Sequence, residues 1–411
     1  MEQIEGGVTA AKGFFAAGAA AGIKYKDRKD MALVYTKEPA VAAGTFTTNV
    51  VKAAPVLWDK EIVSAGKAVH AVVLNSGIAN ACTGEEGKKY NYNMASAVAA
   101  ELSVQPEAVL TASTGVIGMQ LRMDPVNKGV KLLKEALADT REAGTAAAEA
   151  IMTTDTVSKE CAAEFEIDGS KVTVGGMSKG SGMIHPNMAT MLSVITTDAC
   201  IGKDLLQEAL SDVVSDSFNM ISVDRDTSTN DTCVILANGM SGVPEIQKGT
   251  EAYREFKEAL SFVACDLAKK MAGDGEGCTK LFEVTVQNAK TKEEAKILSK
   301  SVITSNLVKT AVYGSDANWG RILCALGYAG VDFDPEIVDL TICAETKGSE
   351  VKLVIVKDGV ATDYSEDIAT ELLSQEKVSV ICDMKQGTAS ATAWGCDLTY
   401  DYVKINGDYR S

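Results

Sequence analysis

The chain has 411 residues, 46% apolar and 23% charged, the proportions of a protein that buries a large core and not of a disordered chain. Its 40 Lys and Arg against 56 Asp and Glu give a net charge of −16 with no basic block, which argues against nucleic acid or a membrane surface and for small-molecule partners. Two histidines, His70 and His185, are too few for a His-rich metal site and handicap any mechanism built on a His base.

Along the chain, Glu2 and Glu5 stand where an export signal would carry positive charge, and the small apolar run over 14–22 is too short to span a membrane, so a cytoplasmic protein is expected. Ala71-Val72-Val73-Leu74 reads as a buried strand closed by Asn75-Ser76-Gly77, and Val130, Leu133 and Leu137 fall at helical spacing. Phe165 and Ile167 alternate before Asp168-Gly169, as Val172 and Val174 do after it, which predicts a hairpin. That hairpin delivers the chain into 175–182, where four glycines in eight residues predict a mobile or sharply bent loop. Thr190-Met191-Leu192-Ser193-Val194-Ile195-Thr196 then reads as a strand whose first residue is Thr190. Leu206, Leu210 and Val214 mark one helix; Tyr253, Phe256, Leu260, Val263 and Leu267 mark a longer one that stops near Gly273 and leaves Glu276 in the following loop. Late in the chain, Val338, Leu340, Ile342 and then Val351, Leu353, Ile355 alternate, with Asp358-Gly359 as a turn. No repeat of 20–50 residues appears. The fold class is α/β (α+β), with mixed or antiparallel sheets layered with helices. Ten dispersed cysteines spell no C-x-x-C pair and are expected to be mostly buried, structural thiols.

Gly176-Met177-Ser178-Lys179-Gly180 fits the G-x-S-x-G nucleophile elbow, but that motif needs a helix after the Ser and the order Ser, acid, His. Pro186 interrupts such a helix and no acid lies between Ser178 and His185, so the match is set aside. A P-loop pattern is absent. Thr190 needs no histidine. If the peptide bond before it were cut, its own α-amino group, with a pKa of about 7.7–8.0, would serve as its base. The cut can be intramolecular, the hydroxyl attacking the Ala189 carbonyl before water hydrolyses the resulting ester. Composition permits this chemistry without selecting it.

Resemblance selects it. The run Lys179-Gly180-Ser181-Gly182-Met183-Ile184-His185-Pro186-Asn187-Met188-Ala189-Thr190-Met191-Leu192 resembles the self-cleavage region of the ornithine acetyltransferase (glutamate N-acetyltransferase) family of arginine biosynthesis. Further matches run through nearly the whole chain. They include Gly6-Gly7-Val8-Thr9-Ala10, Asn75-Ser76-Gly77 with Ala79-Asn80-Ala81, Ser113-Thr114-Gly115-Val116-Ile117-Gly118 and Met152-Thr153-Thr154-Asp155-Thr156. In the second half they include Asp226-Thr227-Ser228-Thr229-Asn230-Asp231, Asn318-Trp319-Gly320-Arg321 and Tyr402-Val403-Lys404-Ile405-Asn406.

The resemblance implies an N-terminal-nucleophile fold like that of ornithine acetyltransferases and DmpA. It also implies autoproteolysis between Ala189 and Thr190 into an α chain, 1–189, and a β chain, 190–411, assembled as an α2β2 heterotetramer. Thr190 would be the nucleophile, Thr114 and Gly115 the oxyanion pair, and Thr153, Lys179, Thr190, Glu276, Asn406 and Ser411 the substrate set. The implied reaction is a ping-pong transfer of acetyl from N2-acetyl-L-ornithine to L-glutamate, without metal or organic cofactor; bifunctional members also take acetyl-CoA as co-substrate. An N-terminal-nucleophile amidase or aminopeptidase is the rival on a similar scaffold. Three positions depart from the family: Ser411 for Thr, Arg225 for Gly and Ile78 for Asn. Arg225 would strain its loop if that position needs a positive φ.

Overall fold

The computed structural model describes residues 1–185 and 191–408. It divides into two compact units, Met1–Asn219 with Asp226–Leu267, and Met220–Arg225 with Ala268–Ser411.

The first unit holds strands β1 (Glu2–Ile4), β2 (Phe14–Ala19), β3 (Met31–Phe46), β4 (Val69–Ile78), β5 (Val109–Val116), β6 (Lys159–Ile167), β7 (Ser170–Lys179) and β8 (Leu192–Thr197). After the two-residue β9 (Ile221–Ser222), which belongs to the second unit, β10 (Thr232–Ala237) completes it. The strands run in the order β1-β6-β7-β8-β10-β3-β4-β5, with β2 paired to β3. Only β8 with β10 and β4 with β5 are parallel, so the sheet is mixed. Its helices are α1 (Ala54–Ala65), α2 (Gly84–Leu102), α3 (Met123–Ala136), α4 (Arg141–Ala150), α5 (Lys203–Asp216) and, through Leu267, α6 (Glu251–Ala272).

Helices cover both faces of this sheet. Val72 and Leu74 of β4 join one buried cluster with α4 residues Ala147 and Ala148, while Ala71 and Val73 join another with Met94, Val98, Val126 and Leu133 of α2 and α3. A strand buried on both faces has no polar side to show, which is why 71–74 is an unbroken apolar run.

The second unit builds the sheet β14-β13-β12-β15-β11-β16-β9 from β9 and β11 (Leu281–Ala289), β12 (Asp339–Thr346), β13 (Ser349–Lys357), β14 (Val360–Ala361), β15 (Lys377–Asp383) and β16 (Ala389–Cys396). Its helices are α7 (Lys292–Thr304), α8 (Asn306–Tyr313), α9 (Trp319–Gly327), α10 (Glu366–Leu373) and α11 (Tyr400–Gly407).

The two predicted hairpin turns form with positive φ at both central residues, Asp168 (51°) with Gly169 (79°) and Asp358 (48°) with Gly359 (72°), the backbone that suits a tight hairpin. Four expectations are corrected. Asn75-Ser76-Gly77 does not end its strand, because β4 continues to Ile78 against β5. Residues 175–179 are not a bent loop but the end of β7, buried throughout. Here the glycines admit close neighbours: a Cβ on Gly175 would stand 2.1 Å from the Gly7 carbonyl oxygen, and one on Gly176 3.1 Å from Leu267. The strand expected from Thr190 begins at Leu192. Of the ten cysteines, all free, only five are buried.

Candidate active site

Thr114 and Gly115 lie where the parallel pair β4 and β5 loses its regular register, at a bulge involving Gly77 and Ile78. Bulges commonly re-aim backbone groups beside active sites. Gly115 adopts φ 132°, and a Cβ there would stand 2.2 Å from the Gly77 carbonyl carbon, so this position accepts glycine alone. A buried network holds the bend. Ser113 Oγ donates to Asn75 Oδ1 at 2.7 Å, and Asn75 Nδ2 to the Ile78 carbonyl at 2.9 Å. Asn230 Nδ2 donates to the carbonyls of Ala79 (2.6 Å) and Ser113 (2.8 Å). A backbone N–H fixed at such a bend can receive a developing oxyanion without reorganising.

Lys179 ends β7 nearly buried, with its ammonium 3.6 Å from Asp155 Oδ2. Asp155 Oδ1 accepts from Lys159 Nζ at 2.8 Å and from the Gly180 N–H at 2.7 Å, while Oδ2 accepts from the Thr153 N–H at 3.1 Å. Burial alone would push the Asp155 carboxyl up, but the Lys179 and Lys159 ammonium groups and the Gly180 N–H outweigh it and hold it well below the usual carboxylate range. Two buried ammonium groups thus face the Asp155 carboxylate. An ammonium lining the cavity suits a substrate carboxylate, and the same aspartate ties down Thr153.

Thr114 and Lys179 line one small cavity together with Met191, Leu192, Ser228, Asn230 and Asp231. Asp231 Oδ1 accepts the Met191 N–H at 2.6 Å. Ala189, Thr190 and Ser411 lie outside the described residues; the cavity is nonetheless lined by the residue that follows Thr190 in the chain.

In the second unit, Glu276 is buried and accepts from Asn406 Nδ2 at 2.8 Å, 130 residues away. Helix α11 sits close on the loop: Thr399 Oγ1 donates to the Gly277 carbonyl at 2.6 Å, and a Cβ on Gly277, whose φ is 68°, would stand 2.8 Å from the Tyr402 nitrogen. Asp397 Oδ1 accepts from the N–H groups of Thr279 and Lys280 and fixes the loop's far end.

Ser178, the elbow candidate, is a buried strand residue bonded to Ser193 Oγ at 2.8 Å, with no helix after it. His70 Nδ1 pairs with the Thr36 carbonyl at 3.2 Å, a structural role.

The ArgJ family model matches residues 15–411. The chain belongs to the ArgJ family. It is 51% identical to the arginine biosynthesis bifunctional protein ArgJ of Symbiobacterium thermophilum, over all of both chains. It is 50% identical to ArgJ 1 of Clostridium acetobutylicum, over 97% of this chain and 96% of that one. The crystal structure of the arginine biosynthesis bifunctional protein argJ from Bacillus halodurans, 44% identical, matches with a TM-score of 0.50 across 53% of this chain and 99% of its own.

Against the family pattern, Arg225 does adopt a positive φ, 71°, so it occupies a left-handed conformation that glycine would take without strain. Ile78 is buried in a hydrophobic cluster, which accounts for an apolar residue there. Sequence reading missed Asp155, Lys159, Asn230 and Asp231 as parts of the site. Asp155 and Lys159 carried a weak signal, an acid and a base four residues apart, but no periodic helix to make that spacing meaningful. Asn230 and Asp231 stood inside a quoted run with nothing to say which way they faced.

Proposed function

We propose that the chain is the acetyltransferase of arginine biosynthesis that moves an acetyl group from N2-acetyl-L-ornithine to L-glutamate. Thr190, freed by autoproteolysis after Ala189, attacks the acetyl carbonyl with Oγ while its α-amino group takes the proton. The Thr114 hydroxyl and the Gly115 N–H receive the oxyanion, ornithine leaves, and the amino group of glutamate takes the acetyl from the Thr190 ester. Lys179 holds the α-carboxylate, with Thr153 beside it. Glu276, steadied by Asn406, accepts the ornithine side-chain ammonium, and Ser411 completes the set. Because the relatives are named bifunctional, acetyl-CoA enters as a second donor to the same Thr190, and no other cofactor is invoked. The working form is an α2β2 assembly of 1–189 and 190–411 in the cytoplasm; among the described residues no helix is long and apolar enough to cross a membrane.

The observation that carries this reading is the convergence on one cavity of Thr114, Lys179 and the residue after Thr190, three segments far apart in sequence. Incubation with N-acetylornithine and glutamate tests the reading. N-acetylglutamate and ornithine should appear in equal amounts and be lost in Thr190→Ala; free acetate without N-acetylglutamate would make the protein an amidase instead.

A further inference from the structure

The chain has no long basic block, yet four of its cations, Lys24, Lys26, Arg28 and Lys29, fall in the six residues 24–29 between β2 and β3. No six residues elsewhere hold more than two. The loop is tied down at its base. Asp30 accepts the N–H groups of Ala21 (2.7 Å), Gly22 (3.1 Å) and Ile23 (2.6 Å) on its carboxylate, and its carbonyl accepts the Ser76 N–H at 2.9 Å. Arg122 Nη2 donates to the carbonyls of Gly22 and Ile23, at 3.0 and 2.6 Å, and brings a fifth cation. Arg28 Nη2 donates to the Met152 carbonyl at 2.5 Å, and its guanidinium lies 4.5 Å from the centre of the Tyr25 ring. The Lys24 ammonium lies 5.2 Å from the same centre. Lys29 is paired with Glu149 at 2.5 Å, and Asp27, the loop's one acid, is exposed. Among the described residues, Lys24, Lys26 and Arg28 have no carboxylate partner. Holding like charges together in a short, fixed loop costs energy that an anion in their midst recovers.

The loop also lies against the oxyanion edge. A Cβ built on Gly77 would stand 2.8 Å from Lys24 Cβ and 3.3 Å from the Tyr25 ring, and one built on Gly115 2.2 Å from the Gly77 carbonyl carbon. One strand's thickness, at Gly77, thus separates the loop from Gly115. Neighbouring strands are about 4.8 Å apart, which puts the loop's ammonium groups on the order of 10 Å from Gly115. The pantetheine arm of an acyl-CoA, roughly thirteen bonds from sulfur to phosphate, reaches about 15 Å when extended. A phosphate held on the loop therefore leaves the acyl group within reach of Thr114 and Gly115.

We propose that loop 24–29 with Arg122 is the phosphate subsite for acetyl-CoA, where Lys24, Lys26 and Arg28 receive the pyrophosphate and the ribose 3′-phosphate. This rests on the reading of acetyl-CoA as a second donor given above. Coenzyme A carries about four negative charges, so a chain of net charge −16 needs a local positive patch to hold it. Arg28 spends one N–H donor on Met152 and keeps the rest of its guanidinium fork for phosphate. N-acetylornithine has no phosphate and makes no use of the loop. The two donors share the oxyanion pair and differ at residues 24–29.

The test uses the full-length protein, as wild type and as the double variant Lys24→Gln with Lys26→Gln. It combines steady-state transfer to glutamate from each donor with calorimetric titration of adenosine 3′,5′-bisphosphate. The double variant should raise KM for acetyl-CoA by about tenfold or more with kcat within about twofold, and weaken the bisphosphate to the same extent. KM for N-acetylornithine should move less than about twofold, which also shows that the variant folds. Lys24→Arg with Lys26→Arg should restore both acetyl-CoA values. Wild-type affinity for the bisphosphate should fall several-fold between about 50 and 200 mM salt, and less steeply in the glutamine variant. An unchanged acetyl-CoA KM and bisphosphate affinity in that variant overturn the subsite and leave the second-donor reading intact. An equal rise in KM for both donors overturns it too, as does wild-type binding of adenosine 5′-monophosphate as tight as that of the bisphosphate. A wild type that transfers acetyl from N-acetylornithine but not from acetyl-CoA overturns the second-donor reading and the subsite together.

Discussion

Thr114 sits at a bend that a bulge creates and a buried amide network fixes. On the proposed mechanism its hydroxyl is an oxyanion donor, and removing one such donor costs about 2.7–4 kcal/mol. Thr114→Ala is therefore expected to lower kcat about 100- to 1000-fold with little change in KM, read from steady-state acetyl transfer. Asp155 and Lys159 serve the site from behind it. Lys159→Met should destabilise the fold by about 3 kcal/mol, the low end for breaking a buried pair, because Lys179 remains near the carboxylate. The sign of the pH effect follows from the direction of the shift. A carboxyl held below its unfolded value contributes stability above the ordinary carboxylate range, and that contribution is lost as pH falls into and below it. Melting temperatures from pH 7 down to pH 3 should thus drop more steeply for the wild type than for Lys159→Met.

The elements were largely legible where periodicity was strong. The helices around Leu206 and Phe256, both hairpins and the strand at 71–74 form as their spacing requires. The glycines of 175–182 were misread for a physical reason: glycine signals equally a bend and a close approach of backbones, and the neighbour that decides, Gly7, is 168 residues away in the chain. Gly175→Ala is accordingly expected to cost several kcal/mol, seen as a lower midpoint in urea denaturation, since its Cβ would meet a backbone oxygen that belongs to a packed segment. The site was legible in part. Thr114, Lys179 and Glu276 could be named from motifs, but a motif carries no direction, so the inward turn of Asn230 and Asp231 toward the β4 and β5 ends and Met191 appears only in three dimensions.

At the scale of the molecule, the proposed cut and the compact units do not coincide. Residues 1–189 and 190–411 both contribute to the first unit's sheet, where β8 and β10 lie between β7 and β3 and pair with both. Two fragments that interleave strands in one hydrogen-bonded sheet cannot separate without unfolding it. They should co-elute on size exclusion in native buffer and part only in denaturant. The scarcity of histidine fits the proposed mechanism, because a threonine that supplies its own amine base needs no imidazole. Intact-mass measurement of the purified wild type and Thr190→Ala under denaturing conditions tests the central claim most directly. Two polypeptides with the masses of 1–189 and 190–411 are expected for the wild type and one of 411 residues for the variant. A wild type that transfers acetyl as a single uncut chain would contradict it.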